Sequence, residues 1–246
     1  STRFLFIKVI LGLYLILKFL FFLFGNFIIF DYLRLDIFIL SISLILIIYS
    51  NLKIFNSNNF RTIISYYCLI YLAFILMCFA LNNHDSIISS LYFIAHYCFT
   101  GLLMTLLSWL IFSNTGSYNI SNLAILRNSS PFNKYYMIIL VPLICCFPIS
   151  FIFLAYWQLA ISTFKIFHIV IISIAIILTF LSSIDLIIKM LGHSYFRIKK
   201  INKLNNLQDN IYYLISFIML CLIIIIFILN PNLISDIFRN LSLYIK

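Results

Sequence analysis

Few side chains in this sequence can do chemistry, and those few lie inside long apolar runs. Lys8 falls within residues 4–24, His96 within the stretch Ile94-Ala95-His96-Tyr97, and Asp185 and Lys189 within residues 166–191. An ionisable group in a membrane-crossing helix costs roughly 2.5–3.5 kcal/mol on insertion scales, so each is a functional candidate by default. Histidine titrates near neutrality and can accept and release protons at working pH. Asp185 and Lys189 are spaced i,i+4, which on a helix lets them face each other as an ion pair. No acyl-transfer triad, phosphate loop or metal-ligand spacing accompanies them, so the chemistry on offer is the movement of protons or ions. A plainer reading stands beside each residue. Lys8 can snorkel to nearby headgroups, His96 can be a neutral core histidine bonded to a carbonyl, and the Asp185–Lys189 pair can be purely structural. Lys18 reads as an anchor at the far end of its run, and Lys165 and His168 as residues at the interface.

The elements that must position these groups are hydrophobic helices. Sixty-five per cent of the 246 residues are apolar, 9% are charged, and Glu is absent. A soluble domain carries roughly a quarter charged residues, so this chain could not clothe a water-facing surface. A helix needs about 20 apolar residues to cross a bilayer. Residues 4–24, 37–49, 60–81, 87–112, 135–163, 166–191 and 211–229 supply about seven such candidates. Only helices and closed barrels satisfy their backbone groups in lipid, and the alternating ten-residue segments of a barrel are missing. The predicted fold is therefore all-α, a single polytopic transmembrane bundle over residues 1–246. One span is expected to be broken: Pro142 and Pro148 fall inside residues 135–163, and each removes a backbone hydrogen bond. Such breaks need protein or a polar cavity to take up the freed groups.

The net charge of +10 reads as loop charge that orients a membrane protein rather than as a nucleic-acid surface. With seven spans, Arg3, Lys53, Arg61, Arg127, Lys134, Arg197, Lys199, Lys200 and Lys203 gather on one side. Arg34, Lys165, Arg239 and Lys246 gather on the other. The richer side is expected to face the cytoplasm or matrix, with the N-terminus inside and the C-terminus outside. Cys68, Cys78, Cys98, Cys145, Cys146 and Cys221 all sit in apolar runs without paired spacing, as small packing residues do. No cleavable signal is expected, and a chain starting at Ser1 reads as processed or as one piece of something larger.

Several short motifs then follow in order. Ser50-Asn51-Leu52-Lys53-Ile54-Phe55, followed by Asn59-Phe60-Arg61-Thr62-Ile63-Ile64-Ser65-Tyr66, resembles a hallmark of the antiporter-like subunits of respiratory complex I. In that family a helix ends in a Gly-Asn-Leu type turn, and the next helix opens on a Lys-Arg pair with a tyrosine beyond it. Residues 120–131 resemble the family's loop before the broken helix, and Cys146-Phe147-Pro148 resembles its Gly-Ile-Pro-Pro break. Ile188-Lys189-Met190 resembles the Val-Lys-Val-Met type segment that closes the following helix. Leu229-Asn230-Pro231-Asn232-Leu233-Ile234 resembles a proline-rich segment near the family's C-terminus. The Ser-Asn-Leu turn and the spacing favour NADH dehydrogenase subunit 2, of whose fourteen helices the last seven are covered.

The resemblance implies the C-terminal half of a split subunit in the mitochondrial inner membrane. Its N-terminus would lie on the matrix side and its C-terminus in the intermembrane space. The implied partners are a separate N-terminal half of subunit 2, other membrane-arm subunits of complex I, and membrane lipids. The chain itself would hold no redox cofactor. FMN, iron–sulfur clusters and ubiquinone would belong to the rest of the complex, whose quinone reduction drives proton movement. Lys8 then falls where the family has the central lysine of its eighth helix, and His96 on a helix where sister subunits carry a histidine. One departure matters. Seven residues past the second proline the family has a lysine, and here that position is Ala155, with Phe151 for an expected glycine. Two rival expectations follow: a scaffold with a degraded proton channel, or an unrelated small-solute transporter.

Overall fold

The computed structural model describes residue 12, residues 35–81, 83–122, 151–163 and 166–196, and residue 236. Apart from residue 12, the expected span at 4–24 lies outside the described residues, as do the span at 211–229, Lys8, Lys18, Pro142, Pro148, Lys165 and the loop at 123–134. Five α-helices and one 3₁₀ turn make up the described part: α1 (Leu35–Asn56), α2 (Phe60–Leu81), α3 (His84–Thr115), the turn Ile120–Asn122, α4 (Phe151–Ile161) and α5 (Ile166–Phe196). The stretches Asp36–Asn56, Phe60–Leu81 and His168–Met190 are each long and apolar enough to cross a membrane. At about 1.5 Å per residue, 22 residues already span ~33 Å. The protein is a multi-pass helical membrane bundle.

Helix ends are set by local polar groups. Asp36 in the first turn of α1 and Lys53 in its last complement the helix dipole. The Asn59 side chain accepts the Arg61 backbone N–H at 3.1 Å and so begins α2. At the start of α3, the Asn83 N–H donates to Ser86 Oγ at 3.0 Å. This carries the helix three residues back from Ile87, where the continuous apolar run starts. The far end of α3 is closed by Gly116, whose φ of 70° is left-handed and whose N–H bonds the Phe112 carbonyl at 2.8 Å. Two other helices also run further than their apolar stretches. α1 continues through Ser50 and Asn51, residues of the expected turn, to Asn56. α5 passes through Gly192, expected to open a loop, and ends at Phe196. A single helical glycine costs about 1 kcal/mol and does not by itself stop a helix.

Cross-helix contacts give the directions. His168 meets Asp36 near one end of α5 and α1, and Lys189 meets the Ile54 and Phe55 carbonyls near the other, so these two helices are parallel. α2 returns antiparallel to α1 through the short 57–59 link. Asn83 Nδ2 donates to the Ser162 carbonyl at 2.9 Å while Phe93 packs on Tyr156, which sets α4 antiparallel to α3. α1, α3 and α5 thus run from an Asp36 end to a Lys53 end. Asp36, His84, Asp85 and His168 lie at the first end, and Lys53, Arg61 and Lys189 at the second.

The core is apolar and aromatic, with Phe60, Ile63, Phe74, Phe93, Ile47 and Ile54 fully buried. At the Lys53 end two loops pair directly. The Phe60 N–H bonds the Tyr118 carbonyl at 2.8 Å and the Ile120 N–H bonds that of Asn58 at 3.0 Å. Tyr118 also stacks on Phe112, centroids 4.7 Å apart, and the Arg61 guanidinium lies 5.8 Å from its ring. These contacts fix where α2 enters the bundle relative to the end of α3.

Candidate functional site

Tyr67, Cys68 and Tyr71 lie within one helical turn of α2, and His96, Tyr97 and Thr100 within one turn of α3. Spacings of three and four place such residues on one stripe of a helix, and the two stripes face each other. His96 is 2% exposed, and its Nε2 lies 3.1 Å from the Tyr71 hydroxyl. Which of the two donates depends on the imidazole tautomer. The rings meet edge to face, with centroids 5.3 Å apart. Beside them the Tyr97 hydroxyl is 2.6 Å from Cys68 Sγ, and the Tyr97 ring is 5.8 Å from that of Tyr71. Thr100 Oγ donates back to the His96 carbonyl at 2.7 Å. A small, almost wholly apolar cleft lined by Ile64, Tyr67, Tyr71, Tyr97, Thr100, Gly101 and Met104 opens next to this cluster. An imidazole and a phenol in contact can hand on a proton without either group carrying a lasting charge.

One turn towards the Asp36 end the polar stripe is interrupted by an aromatic cluster, and it resumes a turn beyond at the 2.9 Å contact of Cys78 Sγ with Ser89 Oγ. Phe74 stacks on Phe93 with centroids 5.1 Å apart, and Tyr156 of α4 meets both rings edge-on at 5.0 and 5.3 Å. The Tyr156 hydroxyl donates to Thr179 of α5 at 3.2 Å. Its neighbour Ala155, at the position where a lysine was expected, is completely buried.

The i,i+4 pair expected from sequence forms: Lys189 Nζ lies 2.7 Å from Asp185 Oδ2. The same ammonium also donates to the Phe55 carbonyl at 2.6 Å and the Ile54 carbonyl at 3.2 Å. Those carbonyls belong to the last turn of α1, whose acceptors have no intrahelical donor. Lys189 therefore caps a neighbouring helix while paired to its own. At the opposite end His168, 5% exposed, has Nε2 3.6 Å from Asp36 Oδ2.

Of the residues singled out from sequence, His96 sits in the α2–α3 cluster and Asp185 and Lys189 on the α1–α5 seam. The two groups share no hydrogen bond. Lys8, Pro142 and Pro148 lie outside the described residues. The partners Tyr71, Tyr97 and Cys68 were not foreseen, nor was the Asp36–His168 pair. The only cue for the first three was the recurrence of Tyr67 and Tyr71 one turn apart in an apolar run. Among the described residues no group of three or more His, Cys, Asp or Glu converges as metal ligands.

No protein-family model matches this sequence, and no curated protein matches it. Among solved structures the chain is similar to one in the membrane-bound sulfane sulfur reductase, an archaeal respiratory membrane complex, with a TM-score of 0.77 and 15% identity. The likeness covers 95% of this chain and 46% of that one, so the protein spans somewhat under half the length of the chain it resembles. At that identity the likeness is one of fold.

Proposed function

We propose that this protein is an antiporter-like membrane-arm subunit of a respiratory complex, and that it carries protons. Specifically, it is the C-terminal half of subunit 2 of mitochondrial NADH:ubiquinone oxidoreductase. The observation that carries the proton role is the buried His96–Tyr71 contact, a titratable group joined to a hydroxyl across two helices. The fold likeness to a chain of a respiratory membrane complex supports the setting. Three groups share the work in this reading. Lys8 is the central relay. His96 accepts a proton at one ring nitrogen as the other nitrogen or the Tyr71 hydroxyl releases one. Asp185 and Lys189 set the charge at the Lys53 end, which carries the basic residues and faces the matrix. A separate N-terminal half and other membrane-arm subunits complete the assembly, whose flavin, iron–sulfur clusters and quinone site lie in other chains.

Ala155 favours a second reading. A fully buried methyl group stands where the resemblance places an exit-side lysine, as in a scaffold whose channel has degraded. Affinity purification through this chain tests the setting. Co-migration with NADH-dependent quinone reduction supports it, and a free-standing chain or a non-respiratory assembly sinks both readings. Within the complex, Lys8→Met and His96→Phe separate the two. A lower proton-to-electron ratio with intact assembly supports the relay, and an unchanged ratio supports the scaffold.

A further inference from the structure

Asn51 belongs to the Ser50-Asn51-Leu52 motif and lies inside α1 rather than in a turn. It is 2% exposed, and neither its Nδ2 nor its Oδ1 has a hydrogen-bond partner. Ser50 beside it is fully buried, and its Oγ is equally unpartnered. Other buried hydroxyls of the bundle, such as Ser43, Ser90 and Ser182, donate to a carbonyl three residues back. Ser50 does not.

Asn51 precedes Ile54 and Phe55, the carbonyls that Lys189 reaches, by three and four residues, and Asp185 precedes Lys189 by four. Because α1 and α5 are parallel, Asn51 and Asp185 stand at one level, a turn (about 5.4 Å) below the Lys189 contact. Asp36, whose carboxylate meets His168 of α5, lies 14 and 15 residues before Ser50 and Asn51, which puts both within about 60° of its direction around α1 and so on the flank turned towards α5. Buried polar atoms in native proteins are paired, through ordered water where no side chain reaches them. Two amide atoms, a hydroxyl and a carboxylate–ammonium pair at one level supply the two to four partners that such a water needs.

We propose that Asn51 and Ser50, with Asp185 and Lys189 across the seam, bind ordered water and form a proton-uptake pocket at the Lys53 end of the bundle. The uptake role rests on the proton-carrying reading above, whereas the water site does not.

A density map of the intact assembly from native membranes, at a resolution that shows water, tests the site. Water density within hydrogen-bond reach of the Asn51 amide is expected. A side chain of another subunit filling the place, or no density there, overturns the proposal. The Asn51→Leu variant, similar in volume but unable to hydrogen-bond, is expected to lose that density and part of the proton-to-electron ratio, while Asn51→Ser keeps both. An unchanged ratio in an assembled Asn51→Leu complex removes the uptake role. Should Asn51→Leu fail to assemble, Ser50→Ala decides: loss of the water density with a lowered ratio supports the pocket, and both unchanged overturns it. If the chain purifies with a non-respiratory assembly, the function proposed above fails while the density still decides the water site.

Discussion

Lys189 Nζ sits 2.6 Å from the carbonyl oxygen of Phe55, a residue 134 positions earlier in the chain. It joins the final turn of α1 to the carboxylate of Asp185 on α5. Removing this ammonium leaves the Asp185 charge uncompensated and the Phe55 carbonyl without this donor, while the Ile54 carbonyl keeps its bond from the Ser57 N–H at 3.2 Å.

Replacing Lys189 by Met is therefore expected to lower the stability of the assembled protein by about 2–3 kcal/mol, since the Asp185 charge stays behind. Adding Asp185→Leu should recover part of that loss. The thermal midpoint of the detergent-solubilised assembly reads both effects. Equal midpoints for Lys189→Met and the parent would show that the clamp does not hold α1 to α5.

Tyr71→Phe removes one hydroxyl from the His96 contact and keeps the ring that packs against His96 and Tyr97. The structural loss is expected to be about 1 kcal/mol. If the contact carries protons, the proton-to-electron ratio falls along with it. His96→Phe should give the same ratio as the double variant, because both changes cut one link.

At the aromatic cluster the two parts of Tyr156 separate cleanly. Tyr156→Phe keeps the ring and removes the hydroxyl with its 3.2 Å bond to Thr179, about 1 kcal/mol. Tyr156→Ala empties the space against Phe74 and Phe93 and is expected to cost about 3–5 kcal/mol. A thermal midpoint for Tyr156→Phe as low as that for Tyr156→Ala would assign the stability to the hydroxyl instead.

Restoring the expected lysine is predicted to fail. Ala155 is completely buried in a packed face of α4, so Ala155→Lys forces a long cation into filled space. Loss of the assembled complex on a native gel is the expected result. Normal assembly with a raised proton-to-electron ratio would mean that room for the lysine exists.

Gly116 ends α3 at a φ of 70°, with open space where a Cβ would be added. The penalty for Gly116→Ala is thus conformational, about 1–2 kcal/mol, and Gly116→Asn should be milder because asparagine tolerates that region. Thermal midpoints of the two variants give the order, and alanine equal to asparagine would contradict the backbone explanation.

The sequence by itself determined what depends on neighbours along the chain. Apolar composition and run length required a helical membrane bundle, because lipid leaves backbone groups no other partner. The Asp185–Lys189 pair was legible for the same reason, since i,i+4 geometry is a property of one helix. Tertiary structure alone decided the rest. Tyr71 as the partner of His96, Asp36 as the partner of His168, and the α1 carbonyls as acceptors for Lys189 all depend on how each helix is rotated about its axis. In a soluble helix a polar face announces that rotation. Here Phe38, Ile45 and Ile188 on the outside are as apolar as Ile47, Ile54 and Phe74 within. Lipid tails are as apolar as a core, so hydropathy cannot tell the two faces apart, and close packing between helices has to choose.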